Sequence, residues 1–318
     1  MIARRLVPAL MALATPAWAQ LRHARVGLAA PDLVPAWVEA FLRQLERRGW
    51  RQGSNLDLLI ADAQGNPAQA GRIAAGLVTS GVHVIVSSSG RMHIAIRDAT
   101  RTIPVVAVAA VDPLLLGLSD SLARPSGNFT GTVGFIEELM GKRLGLLQEA
   151  MPRLRRVAIL LDPSNPGFPA THDAATRAAA RFGLDVLVGG YGSSGEVLPA
   201  LERARDSGAQ ALIIVPDALA LAQMPAIAAR GHALGLPTLG FNASDLAQGL
   251  TFTVGPDRVL LWEIAADMVD RLLRGARVAD LPFIRPTKVF IGVNQRAARQ
   301  LGIEVPLAVL AQADEVIE

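Results

Sequence analysis

Short unbroken apolar runs alternate with amphipathic stretches along the 318-residue chain. Arg25–Ala30 (RVGLAA) is the first such run, closed by Pro31 and Asp32. Val34–Arg48 then sets Val34, Val38, Phe41, Leu42 and Leu45 on one face at helical spacing, and Gly49 ends that helix. Leu56–Ile60 reads as a strand, Asn66–Ser80 as a helix, Val82–Val86 (VHVIV) as a strand, Arg91–Thr100 as a helix and Pro104–Val108 as a strand. A run such as VHVIV, with no polar alternation, suits a parallel strand covered on both faces. The βαβαβαβ series is that of a doubly wound sheet.

Val111–Gly131 breaks the pattern: it has no clear helical period and carries Asp-Pro, Pro-Ser-Gly and Asn-Phe-Thr-Gly turn chemistry. A loop of this length is unusual inside a compact domain. The expectation is therefore a crossover between two lobes, with a ligand cleft beside it. The alternation restarts with a helix over Glu137–Ala150, the strand RVAILL at Arg156–Leu161, a helix over Ala170–Phe182 and a strand over Leu184–Val188. A helix over Glu196–Ser207, the strand Ala211–Val215, a helix over Ala218–Leu234 and a short strand at Thr238–Phe241 follow. RVGLAAPD and RVAILLDP point to a structural repeat rather than a duplicated sequence.

The tail supplies a strand at Leu250–Val254, a long helix over Asp257–Arg274, a proline-rich loop at Ala276–Thr287, a strand at Val289–Val293 and a helix over Gln295–Leu301. This is too little for a third core, so its pieces are assigned back to the two lobes. The expected division is lobe one at 20–120 plus 250–276 and lobe two at 121–249 plus 277–318. The expected fold class is α/β, with two Rossmann-like lobes, parallel sheets and three crossover segments. The second and third crossings are expected near Gly249 and within Ala276–Thr287.

Composition refines this picture in three ways. Hydrophobic residues make up 51% and charged residues 19%, so the chain is globular rather than disordered. Of 31 basic residues only Lys142 and Lys288 are lysines, so arginine dominates and the pI of about 10.1 says little about partners. No basic block of the kind that binds nucleic acid is present. Arg4, Arg5, the apolar Leu6–Ala14 and Ala17-Trp18-Ala19 before Gln20 read as a secretory signal peptide over 1–19. No cysteine is present, which excludes disulfides, thiol catalysis and a lipid-bearing cysteine.

In open α/β sheets, ligands sit beyond the carboxyl ends of the strands. The candidates in lobe one are Asp32, Ser87, Ser88, Ser89 and Asp112, and those in lobe two are Ser164, Asn165, Asp217, Phe241 and Asn242. Hydroxyls and free N–H groups at the helix start after Ser87-Ser88-Ser89-Gly90 suit a carboxylate, although ordinary N-capping fits equally. Asp112 has a ligand ammonium or an Asx-turn as its two roles, and the turn is the commoner. Gly190-Tyr191-Gly192-Ser193-Ser194-Gly195 fits G-x-G-x-x-G, with Asp217 beyond it, and offers an alternative: an exported NAD-linked oxidoreductase. Export, and a position after the second strand of the lobe, weigh against that reading. The five histidines lack metal-ligand spacing and no G-x-S-x-G elbow occurs, so neither a metal nor a cofactor is expected.

Six segments carry a resemblance over essentially the whole mature chain. They are RVGLAA, LERRGWRQGSNLDL at 45–58, ATRTIPVVAVAAVDPLLLGLSDSLARPSGNFTG at 99–131, GKRLGLLQEAMPRLRRVAILLDPSNP at 141–166, LLRGARVADLPFIRPTKVFIGVN at 272–294 and LGIEVPLAVLAQADEVIE at 301–318. The chain resembles ABC-transporter substrate-binding proteins of the type I periplasmic-binding fold, in a branch related to aromatic amino-acid binders. The resemblance implies a protein that clamps a small solute between its lobes and delivers it to a membrane permease; with the signal peptide, the expectation is a non-enzymatic, periplasmic monomer. It places Ser88 and Ser89 at the ligand's carboxylate, Asp112 at the cleft edge, and Asn165, Asp217 and Asn242 on the lobe-two side. Arg91 stands where many relatives carry a small or apolar residue, which favours a more acidic ligand. Aromatics are only 4% of the chain, so few rings are expected for stacking. A sensor docking on a membrane receptor is a further alternative with the same cleft.

Overall fold

The computed structural model describes residues 22–30, 34–64, 66–134, 136–285 and 288–318. The expected signal peptide and Asp32 lie outside the described residues.

The apolar runs form central strands because both their faces are covered. Lobe one contains β1 (Ala24–Ala30), α1 (Pro35–Arg47), β2 (Leu56–Asp62), α2 (Ala70–Thr79), β3 (Val84–Ser88), α3 (Gly90–Ala99), β4 (Val105–Ala110) and β5 (Phe129–Val133). Its sheet is wholly parallel, in the order β2-β1-β3-β4-β5. Lobe two contains α4 (Ile136–Ala150), β6 (Arg156–Leu161), α5 (Phe168–Phe182), β7 (Asp185–Gly190), α6 (Val197–Asp206) and β8 (Ala211–Ile214). It continues through α7 (Ala218–Leu221), α8 (Met224–Ala233), β9 (Thr238–Gly240), α9 (Ser244–Ala247) and β10 (Phe252–Pro256). The tail adds α10 (Arg258–Leu273), β11 (Val289–Asn294), α11 (Gln295–Gln300), α12 (Leu307–Leu310) and β12 (Glu315–Ile317). The second sheet runs β12-β11-β10-β9-β8-β6-β7 and is parallel except between β10 and β11. The helix expected over Ala218–Leu234 is broken before Met224, because Pro225 lacks an N–H and fits only the first turn of α8.

The two sheets repeat one topology. Taken from its β7 edge, the second sheet reads β7-β6-β8-β9-β10, the same second-first-third-fourth-fifth order as the first. Each sheet thus has a switch point, between β1 and β3 in one and between β6 and β8 in the other, where opposed connections leave a crevice.

Three expected boundaries move, one of them because residues 277–284, expected in lobe two, stay with lobe one, where Leu281 and Phe283 are buried in its cores. Val111–Gly131 does not cross between lobes. Leu116 and Leu118 are buried in the lobe-one core, Arg97 donates to the Leu116 carbonyl at 2.7 Å, and the segment runs into β5, which pairs with β4. The strand FTGTV was hidden by its Thr and Gly content, yet all five residues are buried. A Cβ at Gly131 would lie 1.9 Å from the Ala107 carbonyl oxygen, so close strand approach excludes a side chain there. Residues 250–256 also change lobe: β10 pairs with β9 and β11 in the second sheet.

The chain therefore passes between the lobes after β5, after β10, and between Ile284 and β11. Ile284 is still tied to lobe one, its N–H donating to the Gly131 carbonyl at 2.9 Å. The fifth strand of each sheet leads into a helix that packs on the other lobe. α4 covers α5 and β10, whereas α10 lies against α1 and β4. Trp262 anchors α10: it is fully buried, stacked on Trp37 at 6.5 Å between ring centroids and edge-on to Phe41 at 6.0 Å. Truncating a buried Trp costs about 3–5 kcal/mol, which fixes α10 on lobe one although its preceding strand belongs to lobe two. No helix among the described residues is long and apolar enough to cross a membrane.

Candidate functional site

The two switch points face each other and enclose a cavity of about 110 Å³. Lobe one supplies Trp37 from the start of α1 and Ser88, Ser89 and Gly90 from the β3–α3 junction. Lobe two supplies Asp162 and Asn165 beyond β6, Pro216 and Asp217 beyond β8, and Phe241 beyond β9. Arg258, the first residue of α10, closes the wall near the second crossing.

Among the described residues only Gln64, Ser89 and Ala109 combine a side chain with positive φ, and the last two line this cavity. Ser89 has φ +79° and acts as the N-cap of α3, its hydroxyl accepting a long 3.4 Å hydrogen bond from the Met92 N–H. Such backbone strain, of order 1–3 kcal/mol per residue, persists where the surrounding structure over-determines it. Here it turns the start of α3 toward the cavity.

Asp217 is buried and heavily engaged. Its carboxylate accepts from the Tyr191 hydroxyl at 2.6 Å and from the N–H groups of Leu219 and Ala220 at 2.9 Å each. Burial raises its pKa above the ordinary value, opposed by those hydrogen bonds. Asn165 caps its own turn, accepting from the Gly167 N–H at 3.0 Å, and remains on the cavity wall.

Of the expected site residues, Ser88, Ser89, Asn165, Asp217 and Phe241 line the cavity. Three do not. Ser87 points into the core on the opposite face of β3; it is fully buried, and its carbonyl lies 3.1 Å from His93 Nε2. Asp112 holds a turn, accepting from the Leu114 and Leu115 N–H groups at 2.9 and 3.0 Å, and faces an outer groove. Asn242 sits one layer behind the wall, where its Oδ1 accepts from Arg258 Nε at 3.0 Å. Arg91 lies outside the main cavity: it crosses the cleft to Asp162 Oδ2 and to Ser164 Oγ, at 2.5 Å each.

The sequence reading missed Trp37, Asp162, Phe168 and Arg258. Trp37 lies off the apolar stripe predicted for α1, and Arg258 reads as a solvated residue at the start of an amphipathic helix. For Asp162 a usable signal existed, because it immediately follows a strand. Three rings, Trp37, Phe168 and Phe241, gather on the cavity despite the low aromatic content.

In the glycine-rich loop at 190–195 an N–H that a dinucleotide phosphate would use is already engaged within the protein. The Gly192 N–H donates to the Glu196 carboxylate at 2.7 Å, and the Gly190 carbonyl accepts from Arg203. A carboxylate thus occupies the position of a phosphate, and Asp217, the expected ribose ligand, is held by Tyr191. Among the described residues no group of three or more His, Asp or Glu is placed to hold a metal ion.

Two doubly wound lobes with facing switch points and a cavity between them define a two-lobed solute-binding protein of the type I periplasmic-binding fold. The model of the ABC transporter substrate binding protein family matches residues 31–317, and the chain belongs to that family. A tyrosine-binding protein of Clostridioides difficile (strain R20291) is 24% identical over 267 residues, covering 84% of this chain and 76% of the relative. Among solved structures, a conserved domain protein from Vibrio cholerae O1 biovar El Tor superposes with TM-score 0.86 at 25% identity, covering 92% of this chain and 99% of that one. An ABC domain from Streptococcus pneumonia in complex with L-Trp superposes with TM-score 0.85 at 20% identity, covering 93% and 100%.

Proposed function

We propose that this substrate-binding protein captures an amino-acid-like solute in the inter-lobe cavity and presents it to a membrane ABC permease. It acts in the periplasm as a monomer, after removal of residues 1–19, and performs no catalysis. The observation that carries this reading is the meeting of a strained, hydroxyl-bearing helix start with a largely apolar wall in one enclosed cavity. Ser88, Ser89 and the first N–H groups of α3 receive the solute carboxylate, where the partial positive charge of the helix end favours an anion. Asn165 and Asp217 bound the same end from lobe two. Trp37, Phe168 and Phe241 pack on the apolar part, which supports an aromatic side chain. The tyrosine and tryptophan ligands of the relatives support the same class.

Binding to the folded state raises apparent stability by mass action. In a thermal-shift screen of the common amino acids, L-tyrosine or L-tryptophan is expected to raise the unfolding temperature, and Ser89→Ala to reduce that ligand-induced shift beyond the small drop in the unliganded value from loss of the N-cap. Small-angle scattering is expected to show compaction on saturation. Equal, negligible shifts for every amino acid would sink the reading, as would a shift by NAD at millimolar concentration.

A further inference from the structure

The far wall of the cavity holds more positive than negative charge. Arg143 is 1% exposed; its Nε donates to the Val254 carbonyl at 2.8 Å, its guanidinium lies 3.3 Å from the Phe241 ring centroid, and its Nη1 has no partner. Arg258 is held through Nε by Asn242 and lies over the Trp37 ring at 5.2 Å. Among the described residues no carboxylate forms an ion pair with Arg258. Asp245 is the acid that acts on both arginines, and it is turned toward its own loop, accepting from the Phe241 and Asn242 N–H groups at 2.8 and 2.9 Å. Two guanidinium groups and one carboxylate thus share this wall, and Arg258 carries the excess charge to the cavity surface. The other acids of the cavity are already engaged, Asp162 by Arg91 and Asp217 by Tyr191.

The position of Arg258 along the cleft gives this charge a role. Its tether, Asn242, lies just past β9, whereas Asn165, beside Gly90, lies past β6. In the second sheet β9 and β6 are separated by β8 alone. Two strand spacings are about 10 Å, so Arg258 and the start of α3 stand at opposite ends of the cavity.

We propose that Arg258 reads the end of the solute remote from Ser88–Gly90, and that the cleft selects an amino-acid-like solute tipped with a hydrogen-bond acceptor or a negative charge. The inference rests on the capture function proposed above. Asn242 is the positioning residue that fixes the guanidinium plane, while Trp37 covers its face from the other lobe. A planar guanidinium held by one N–H keeps its outer donors for a ligand oxygen.

The test uses three probes with one skeleton: L-phenylalanine, L-tyrosine and 4-carboxy-L-phenylalanine. Their affinities for the wild-type protein and for Arg258→Leu and Arg258→Gln are measured by titration calorimetry. The wild type is expected to bind the two acceptor-tipped probes about tenfold or more tightly than L-phenylalanine, the scale of one charge-assisted hydrogen bond. Both variants are expected to lose that preference while retaining L-phenylalanine within a few-fold. The wild-type comparison stands even if a variant does not fold. Equal wild-type affinity for the three probes overturns the inference and leaves capture intact, as does a variant that weakens all three alike. Failure of the wild type to bind any of them overturns this inference, and the amino-acid reading falls with it when the thermal-shift screen of the common amino acids is also negative.

Discussion

Arg91→Leu isolates the contribution of a single contact to closure. Arg91 belongs to α3 of lobe one and Asp162 follows β6 of lobe two, so their 2.5 Å ion pair forms only when the lobes are together. The Asp162 side chain is 4% exposed and that of Arg91 is 31%. Leucine keeps much of the apolar stem and removes the cation. Asp162 Oδ1 retains the Ser164 N–H at 2.8 Å and the Ser164 hydroxyl at 2.6 Å, while Oδ2 loses its charged partner. Breaking a fully buried pair costs about 3–5 kcal/mol. Water reaches the exposed third of Arg91 and lowers that figure toward the about 1.5–3 kcal/mol of a hydrogen bond to a charged group. Opening the lobes rehydrates both groups, so the loss falls on the closed form and not on either lobe's core. The dissociation constant for L-tyrosine or L-tryptophan should therefore rise about 10- to 150-fold, with little change in the unliganded unfolding temperature. Titration calorimetry paired with thermal unfolding measures both quantities, and a double-mutant cycle with Asp162→Asn isolates the pair. Affinity within about threefold of wild type, or a stability loss that accounts for the whole effect, would refute the reasoning.

Other consequences concern stability. His93 is fully buried and its pKa is lowered from 6.5 to about 4 by burial, partly opposed by the Ser87 carbonyl. Between those values the unfolded chain binds a proton that the folded chain does not, so stability falls as pH falls through this window, by roughly 3 kcal/mol in all. Denaturant melts across the window should show that slope, and His93→Gln should flatten it; an unchanged slope would assign the effect elsewhere. A Cβ at Gly255 would lie 1.7 Å from the Phe241 carbonyl oxygen, so Gly255→Ala should force β9 and β10 apart and cost about 3 kcal/mol or more in denaturant melts. Gly141→Ala in α4 is the control: nothing lies within 4 Å of its Cβ position, and a gain of about 0.5–1 kcal/mol is expected from helix propensity. Comparable losses for both glycine variants would show that steric approach is not the cause.

The site was legible where strand ends open directly onto the cavity. Ser88, Ser89, Asn165, Asp217 and Phe241 each follow or end a strand whose apolar run is unmistakable, and the carboxyl-end rule brings all five to one cavity. The rule does not distinguish inward from outward neighbours. Ser87 is one residue from Ser88, yet strand alternation turns it into the core. Asn242 follows Phe241 and faces Arg258 instead of the cavity. Arg258 and Trp37 gave no local signal because their roles arise from each other's position on different elements.

Local pattern determined the type of most main elements, their α/β alternation and the polar start of α3, because these depend on periodicity and turn chemistry within a few residues. Tertiary structure decided where the chain changes lobes. Gly131 in β5 and Gly255 in β10 stand where a neighbouring carbonyl leaves no room for a Cβ; β5 loses its apolar signal to Thr and Gly, and the sheet that each strand joins is known only from its partners. The helix after each of them packs on the opposite lobe, α4 against α5 and α10 against α1, contacts that no local pattern specifies. Val111–Gly131 is accordingly a loop and strand of lobe one, and the crossings fall just beyond the fifth strands.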